Sequence, residues 1–160
     1  MTKLGKFMYN LVLKWSNMLM KHHWLWVLLN LTWGILLTLP TTIFGLILSF
    51  KYKSQKYFWT RCLQFGDNWG GFEGSFFIFV ANNMGEEWTE HTRQHEFGHS
   101  FQNALFGPLT IFIVTIPSII RYWYRRLFPS KCSTKYDDIW FEGSATCAGE
   151  NATYYLSFRK

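Results

Sequence analysis

RQHEFGHSFQ, residues 93–102, is the stretch on which the reading of this chain turns. It spells the pattern H-E-x-x-H once, in a chain with five histidines. On a helix, residues four apart share a face, so His95 and His99 can offer both imidazoles to one ion. Glu96 is offset by one position and falls beside such an ion. There it is placed to hold and deprotonate a water whose pKa zinc has lowered. The alternative is a solvated helix face that carries two incidental histidines.

The surroundings favour the site. Glu86, Glu87 and Glu90 occupy the first turns of EEWTEHTRQHEFGHSFQNALF, as the helix dipole prefers. SFFIFVAN, residues 75–82, reads as a strand leading into that helix. Gly98 leaves room for a neighbouring element. Catalytic zinc takes three protein ligands and keeps one position open, so a third ligand is needed downstream. Glu142 in W-F-E-G-S-A-T is the best candidate, because Gly143, Ser144 and Ala145 would let a second helix approach closely. Glu150 is the reserve, and Asp137 and Asp138 are weaker.

His91 extends the ladder to His91, His95 and His99. The outer two lie about 12 Å apart along a helix axis and cannot share an ion. His91 is therefore read as supporting the site or lying at the surface. Tyr154 and Tyr155 are candidate hydrogen-bond donors to the developing oxyanion.

Working outward, Trp24–Phe50 is a run without one charge. It exceeds the length that crosses a bilayer as helix, about 20 residues. It reads as a transmembrane segment, a single span kinked at Pro40 in preference to a hairpin. Residues 1–23 read as an amphipathic helix lying at an interface. Residues 51–74 read as a polar, glycine-rich connection. Aromatic residues make up 21% of the chain and charged residues only 16%. Soluble domains usually carry about 25% charged residues. The net charge of +6 sits in small basic groups bracketing apolar runs, which is the pattern of membrane flanks. No nucleic-acid-binding motif accompanies it. Cys62, Cys132 and Cys147 are an odd, widely spaced set and read as reduced thiols.

The order L-P-T-T-I-F-G-L, G-F-E-G-S-F-F-I-F-V, H-E-F-G-H-S-F-Q, G-P-L-T-I-F-I-V-T-I-P-S-I-I and W-F-E-G-S-A-T resembles a group of small bacterial membrane proteins. These carry H-E-x-G-H-T-x-Q-S, G-P-L-Y, P-S and W-T-E-K-x-A-D. More broadly, the pairing of H-E-F-G-H with E-x-x-A resembles the gluzincin class of zinc metallopeptidases, including relatives of the CAAX prenyl protease. The likeness covers roughly residues 33–150. Site-2 proteases are a poorer match, since no late Asp-Gly motif is present.

The resemblance implies a mainly α, membrane-associated protein with a zincin-like active-site helix, a short strand or small sheet before it, and a zincin-like domain over residues 51–160. It implies that zinc is bound by His95, His99 and Glu142, with Glu96 as catalytic base. The implied substrate is a peptide or membrane protein, the other partner a lipid bilayer, and the location a membrane, the bacterial inner membrane. Thr146 departs from the pattern, standing where the Asp of E-x-x-A-D would orient a ligating histidine. A catalytically inactive metal-binding or scaffolding relative is the alternative.

A closed site makes one further demand. Were residues 104–120 to cross a bilayer, Glu142 would emerge on the side away from His95. The segment 104–128 must therefore fold back as a re-entrant or interfacial hairpin, expected to break at Pro108 and Pro117.

Overall fold

The computed structural model describes residues 1–159. The chain is mostly helical, with one small mixed sheet. It runs through α1 (Lys3–Lys21), α2 (His23–Leu31) and α3 (Ile35–Ser49). Four strands follow, β1 (Ser54–Tyr57), β2 (Thr60–Asp67), β3 (Gly71–Gly74) and β4 (Phe77–Asn82). Then come α4 (Glu86–Phe106), α5 (Ile116–Leu127) and α6 (Trp140–Ser157).

Helix α4 is the central post. Every residue from His95 to Ala104 is buried, including the polar Ser100, Gln102 and Asn103. Such a helix carries no apolar stripe, and its polar groups must find partners inside. They do. Ser100 Oγ accepts from Trp26 Nε1 of α2 at 3.1 Å, and Gln102 donates to the Phe141 carbonyl of α6 at 2.7 Å. Asn103 Nδ2 bonds Asn30 Oδ1, Thr38 Oγ1 and Ser75 Oγ at 2.9 to 3.0 Å. Polar bonds thus fasten α2, α3, α6 and the β3–β4 turn to one helix.

Helices α4 and α6 meet at glycines. A Cβ on Gly98 would overlap the Ala145 carbonyl, and one on Gly149 would overlap the Gln94 carbonyl. The expected close approach at Gly98 and Ala145 is therefore present, backbone against backbone. Helix α1 packs on α6 and buries Val12, Ser16, Leu19 and Met20. Much of the face expected to lie at an interface is core, although Leu4 and Phe7 remain exposed.

The apolar run 24–50 is divided. The break falls at residues 32–34, where α2 and α3 bend by 93°, and not at Pro40, which sits inside continuous α3. Gly34 makes the bend tolerable, since any Cβ there would strike Asn103. Trp33 anchors it by donating Nε1 to the Leu105 carbonyl at 3.3 Å. Pro40 sits in continuous α3 beside Thr41, whose Oγ1 donates to the Leu37 and Thr38 carbonyls at 2.6 and 3.1 Å and reaches the Gly74 carbonyl at 3.2 Å. Among the described residues no single helix is long and apolar enough to cross a membrane.

The connection expected over 51–74 contains three strands. The sheet order is β1-β2-β4-β3, with β2 and β4 parallel and the other pairs antiparallel. Strand β4 matches the apolar run 75–82, but it is the buried interior strand and offers no free edge. The edge nearest α4 is β3, where Gly71 lies against Thr92 and Glu96.

After α4 the chain bends by 116° near residues 107–111 and continues through a π-helical turn, Ile111–Thr115, into α5. The fold-back demanded by the sequence is present. Gly107 makes the turn with a positive φ, a conformation that favours glycine. Pro117 breaks nothing, because the π-helical turn Ile111–Thr115 runs directly into α5 around it.

Candidate metal centre

His95, Glu96 and His99 come from the middle of α4, and Glu142 from the first turn of α6. Their proximity follows from the glycine crossing, which brings the two backbones into contact one turn from the ligands. The ligand atoms of His95, His99 and Glu142 all lie within 4.8 Å of one another, and all three residues are buried. His95 Nε2 and His99 Nε2 are 3.1 Å apart. Glu142 Oε2 stands 3.2 Å from the first and 3.4 Å from the second. The edges of a tetrahedron with bonds of about 2.0–2.1 Å measure roughly 3.3 Å. The three atoms thus match one face of a tetrahedral metal site.

The far ring nitrogens set the tautomers. Gln102 donates Nε2 to Phe141 and Ser144, at 2.7 and 2.9 Å, which turns its Oε1 towards His99 Nδ1 at 2.7 Å. Oε1 can only accept, so Nδ1 carries the proton and the Nε2 of a neutral His99 presents a lone pair to Glu142. His95 Nδ1 is 2.8 Å from Thr146 Oγ1. The residue that departs from the expected Asp thus occupies its place, with a neutral hydroxyl in place of a carboxylate.

This cluster requires a cation. Both Glu142 oxygens are buried without a hydrogen-bond partner, and lone pairs converge on them. An unpaired buried carboxylate is costly. Burial alone would raise the Glu142 pKa, but the two imidazoles against it hold it well below the usual carboxylate range. Burial lowers the pKa of His95. For His99 burial acts in the same direction but is outweighed by Glu142, so its pKa rises to about 9. The charge that satisfies Glu142 can be a proton on His99 or a metal ion on both histidines. The His-His-Glu group can therefore hold a metal ion.

Glu96 is buried beside the ligands, and burial raises its pKa to about 8. Its carboxylate packs against Gly71 of β3, where a Cβ would come within 2.8 Å of Oε1. Two cavities of about 240 Å³ each reach this point, and both are lined by His95, Glu96 and Tyr136. One continues past Leu37, Thr41, Val114, Ser118 and Ile119, between α3 and the 110–119 segment. The other continues past Gly70, Trp88, His91, Tyr122 and Asp137.

The remaining candidates separate clearly. His91 is exposed and lines the second cavity. Tyr154 is 71% exposed and packs on Phe158, three turns along α6 from Glu142, so it does not reach the site. Tyr155 pairs with Arg159. Glu150 is exposed and outside the ligand cluster. The phenol at the site is Tyr136, from the loop before α6, its ring centroid 6.1 Å from that of His95. Arg121 of α5 positions it, bonding the Tyr136 carbonyl at 2.9 and 3.1 Å with its guanidinium over the ring. Burial raises its pKa, so it stays protonated and able to donate.

Glu73 of β3 is a second buried carboxylate lining the first cavity. Ser75 holds it through both its backbone N–H and its hydroxyl, and burial raises its pKa to about 7. An acidic residue framed by glycines beside an apolar strand was the only local signal for Glu73. Tyr136 had none, because its role depends on where α5 turns back.

Compared with known protein families, with curated proteins and with solved structures, the chain matches none of them.

Proposed function

We propose that this protein is a membrane-associated zinc metallopeptidase. The observation that carries the reading is the converging triad of His95, His99 and Glu142, with Glu96 buried beside it at the meeting point of two cavities. The donor set of two imidazoles and one carboxylate suits zinc and leaves a fourth position open. The motif resemblance to gluzincins supports the same assignment.

His95, His99 and Glu142 would hold the ion, and a bound zinc supplies Lewis acidity to a peptide carbonyl and lowers the pKa of water. The chain's own residues do the rest. Glu96 accepts the proton of the attacking water and returns it to the departing amine. Tyr136 donates its phenolic hydrogen to the oxygen on which negative charge develops. The edge strand β3, beside Glu96, can align an extended peptide by main-chain hydrogen bonding. Apolar side chains exposed on α3, the π-helical turn and α5, among them Leu39, Ile43, Phe112 and Ile120, support a membrane location.

The test is metal analysis of purified protein together with peptide hydrolysis. Wild type is expected to carry about one zinc per chain, lost in His95→Ala and Glu142→Ala. Glu96→Gln keeps the metal and loses hydrolysis. Wild type without zinc overturns the reading. Metal retained with no hydrolysis of any membrane-fraction peptide, in wild type and Glu96→Gln alike, favours the inactive metal-binding relative, to which the neutral Thr146 partner of His95 lends support.

A further inference from the structure

The two cavities that meet at the metal centre differ in what surrounds their mouths. The first opens between α3 and the 110–119 segment, and its rim carries Phe72 and Ile119, both exposed. The helix surfaces on either side of that mouth expose Leu36 and Leu39 on one flank, and Phe112, Ile116 and Ile120 on the other. Between Ile35 and Ser49 there is no charged residue, and from Gly107 to Leu127 there is no acidic one. The cations closest to these surfaces sit at their ends, at Lys51 and Lys53 after α3 and at Arg121, Arg125 and Arg126 late in α5. Trp123 and Tyr124 lie beside those arginines and are about half exposed. Exposed apolar flanks of this extent, free of charge along α3, match hydrocarbon, while the three arginines turn to the carbonyls of Thr134, Lys135, Tyr136 and Asn68.

The second cavity opens on different surroundings. Gly70, Trp88, His91, Thr92, Tyr122 and Asp137 line it, and His91 is exposed at its mouth. It reaches the same Glu96 and Tyr136 from its own side. The strand-to-strand loop at Gly70 and the 133–138 loop form its rim, and the exposed apolar residues of α3 are absent from its lining.

We propose that the centre has two entrances of opposite character: a lipid-facing mouth between α3 and residues 110–119 that takes an apolar peptide segment held in the bilayer, and an aqueous mouth at His91 and Asp137 that admits water. The proposal rests on the metallopeptidase reading for its chemistry, but its geometry does not. Hydrolysis in an apolar site requires water to arrive by a route the substrate does not occupy. Glu96, at the junction, faces both. The substrate class is a hydrophobic segment inserted in, or lying at the surface of, the membrane.

The test uses full-length protein with Cys132→Ser and Cys147→Ala, the buried Cys62 being left in place. Single cysteines are introduced by Ile119→Cys, Leu37→Cys and His91→Cys, labelled with a small fluorophore, and reconstituted in vesicles of phosphatidylcholine and phosphatidylglycerol. Fluorophores at 119 and 37 are expected to be quenched severalfold by brominated acyl chains and little by iodide, with the reverse at 91. A lysine-bracketed Leu/Ala helix inserted in the same vesicles shifts the emission at 119, whereas a soluble polar peptide does not. Iodide quenching at 119 and 37 without bromolipid quenching overturns the lipid-facing mouth. No response at 119 to the inserted helix overturns the substrate class. Bromolipid quenching at 91 overturns the aqueous mouth. Ile119 is exposed, so its replacement leaves the core intact, and circular dichroism verifies folding of each variant. Zinc content of the same samples separates the two ideas. Lipid quenching without zinc removes the peptidase reading alone, and zinc with iodide quenching at 119 removes the entrance alone.

Discussion

Thr146 Oγ1 stands 2.8 Å from His95 Nδ1, linking α6 to α4 across the glycine crossing. The partner of a ligating imidazole fixes its orientation and tunes its basicity, and losing one typically costs about 10–100-fold in metal affinity. Thr146→Val is expected to weaken zinc binding by roughly that factor, while Thr146→Asp strengthens it by making His95 more basic. Competition with a zinc-sensitive chelating dye measures both. Unchanged affinity in Thr146→Val would show that the hydroxyl contributes nothing.

Gln102 does the same for His99, with its amide locked by Phe141 and Ser144. In Gln102→Leu the buried Nδ1–H loses its acceptor and the tautomer is no longer imposed. Zinc affinity is expected to fall by about 10–100-fold. The Phe141 carbonyl also loses a buried partner, which costs about 1–3 kcal/mol of stability. Titration calorimetry and thermal unfolding separate the two effects.

Gly98→Ala forces a methyl group into the Ala145 carbonyl, so α4 and α6 must move apart. Overpacking typically costs about 1–3 kcal/mol, and here the obstruction is backbone with no rotamer to relieve it. The metal ligands lie on the two helices being separated, so stability and zinc affinity should fall together. Denaturant unfolding with and without zinc is the measurement.

Gly71→Ala acts on the base alone. Its methyl group meets Thr92 Cγ2 and Glu96 Oε1 and leaves the three ligands untouched. The expected outcome is near-normal zinc content with a loss of hydrolysis of about 100-fold, since misplacing a reacting group by about 1 Å has that scale of effect. Loss of zinc instead would place Gly71 in support of the ligands.

The pH dependence has a definite sign. In the metal-free protein His99 is raised from 6.5 to about 9, so metal must displace its proton. Zinc affinity should rise by up to about tenfold per pH unit across that interval, with proton release on binding. Stability runs the other way. A raised histidine stabilises fully below its unfolded value of 6.5, and that contribution is lost as pH rises through about 9. Glu96 and Glu73, raised by burial from 4.5 to about 8 and about 7, also destabilise as pH climbs. Metal-free protein should therefore lose thermal stability from about pH 5 to 9, and zinc should flatten the decline.

Much of the centre was legible locally. His95, Glu96 and His99 are set by helical spacing, which requires only that the helix forms. Glu142 followed from small residues that permit a close helix crossing, and the fold-back after α4 followed from closing the site. These inferences depend on contacts within one turn or on a single geometric demand.

What tertiary structure alone decided depends on distant partners. The bend in the apolar run came at Gly34 because Asn103 and Leu105, far along the chain, receive it there. Strands formed in the polar stretch 54–74 because β4 offered pairing, and β propensity depends strongly on such context. Tyr136 and Glu73 entered the centre through contacts made by α5 and Ser75. The motif determined where an ion can bind, and packing decided which side chains and which solvents surround it.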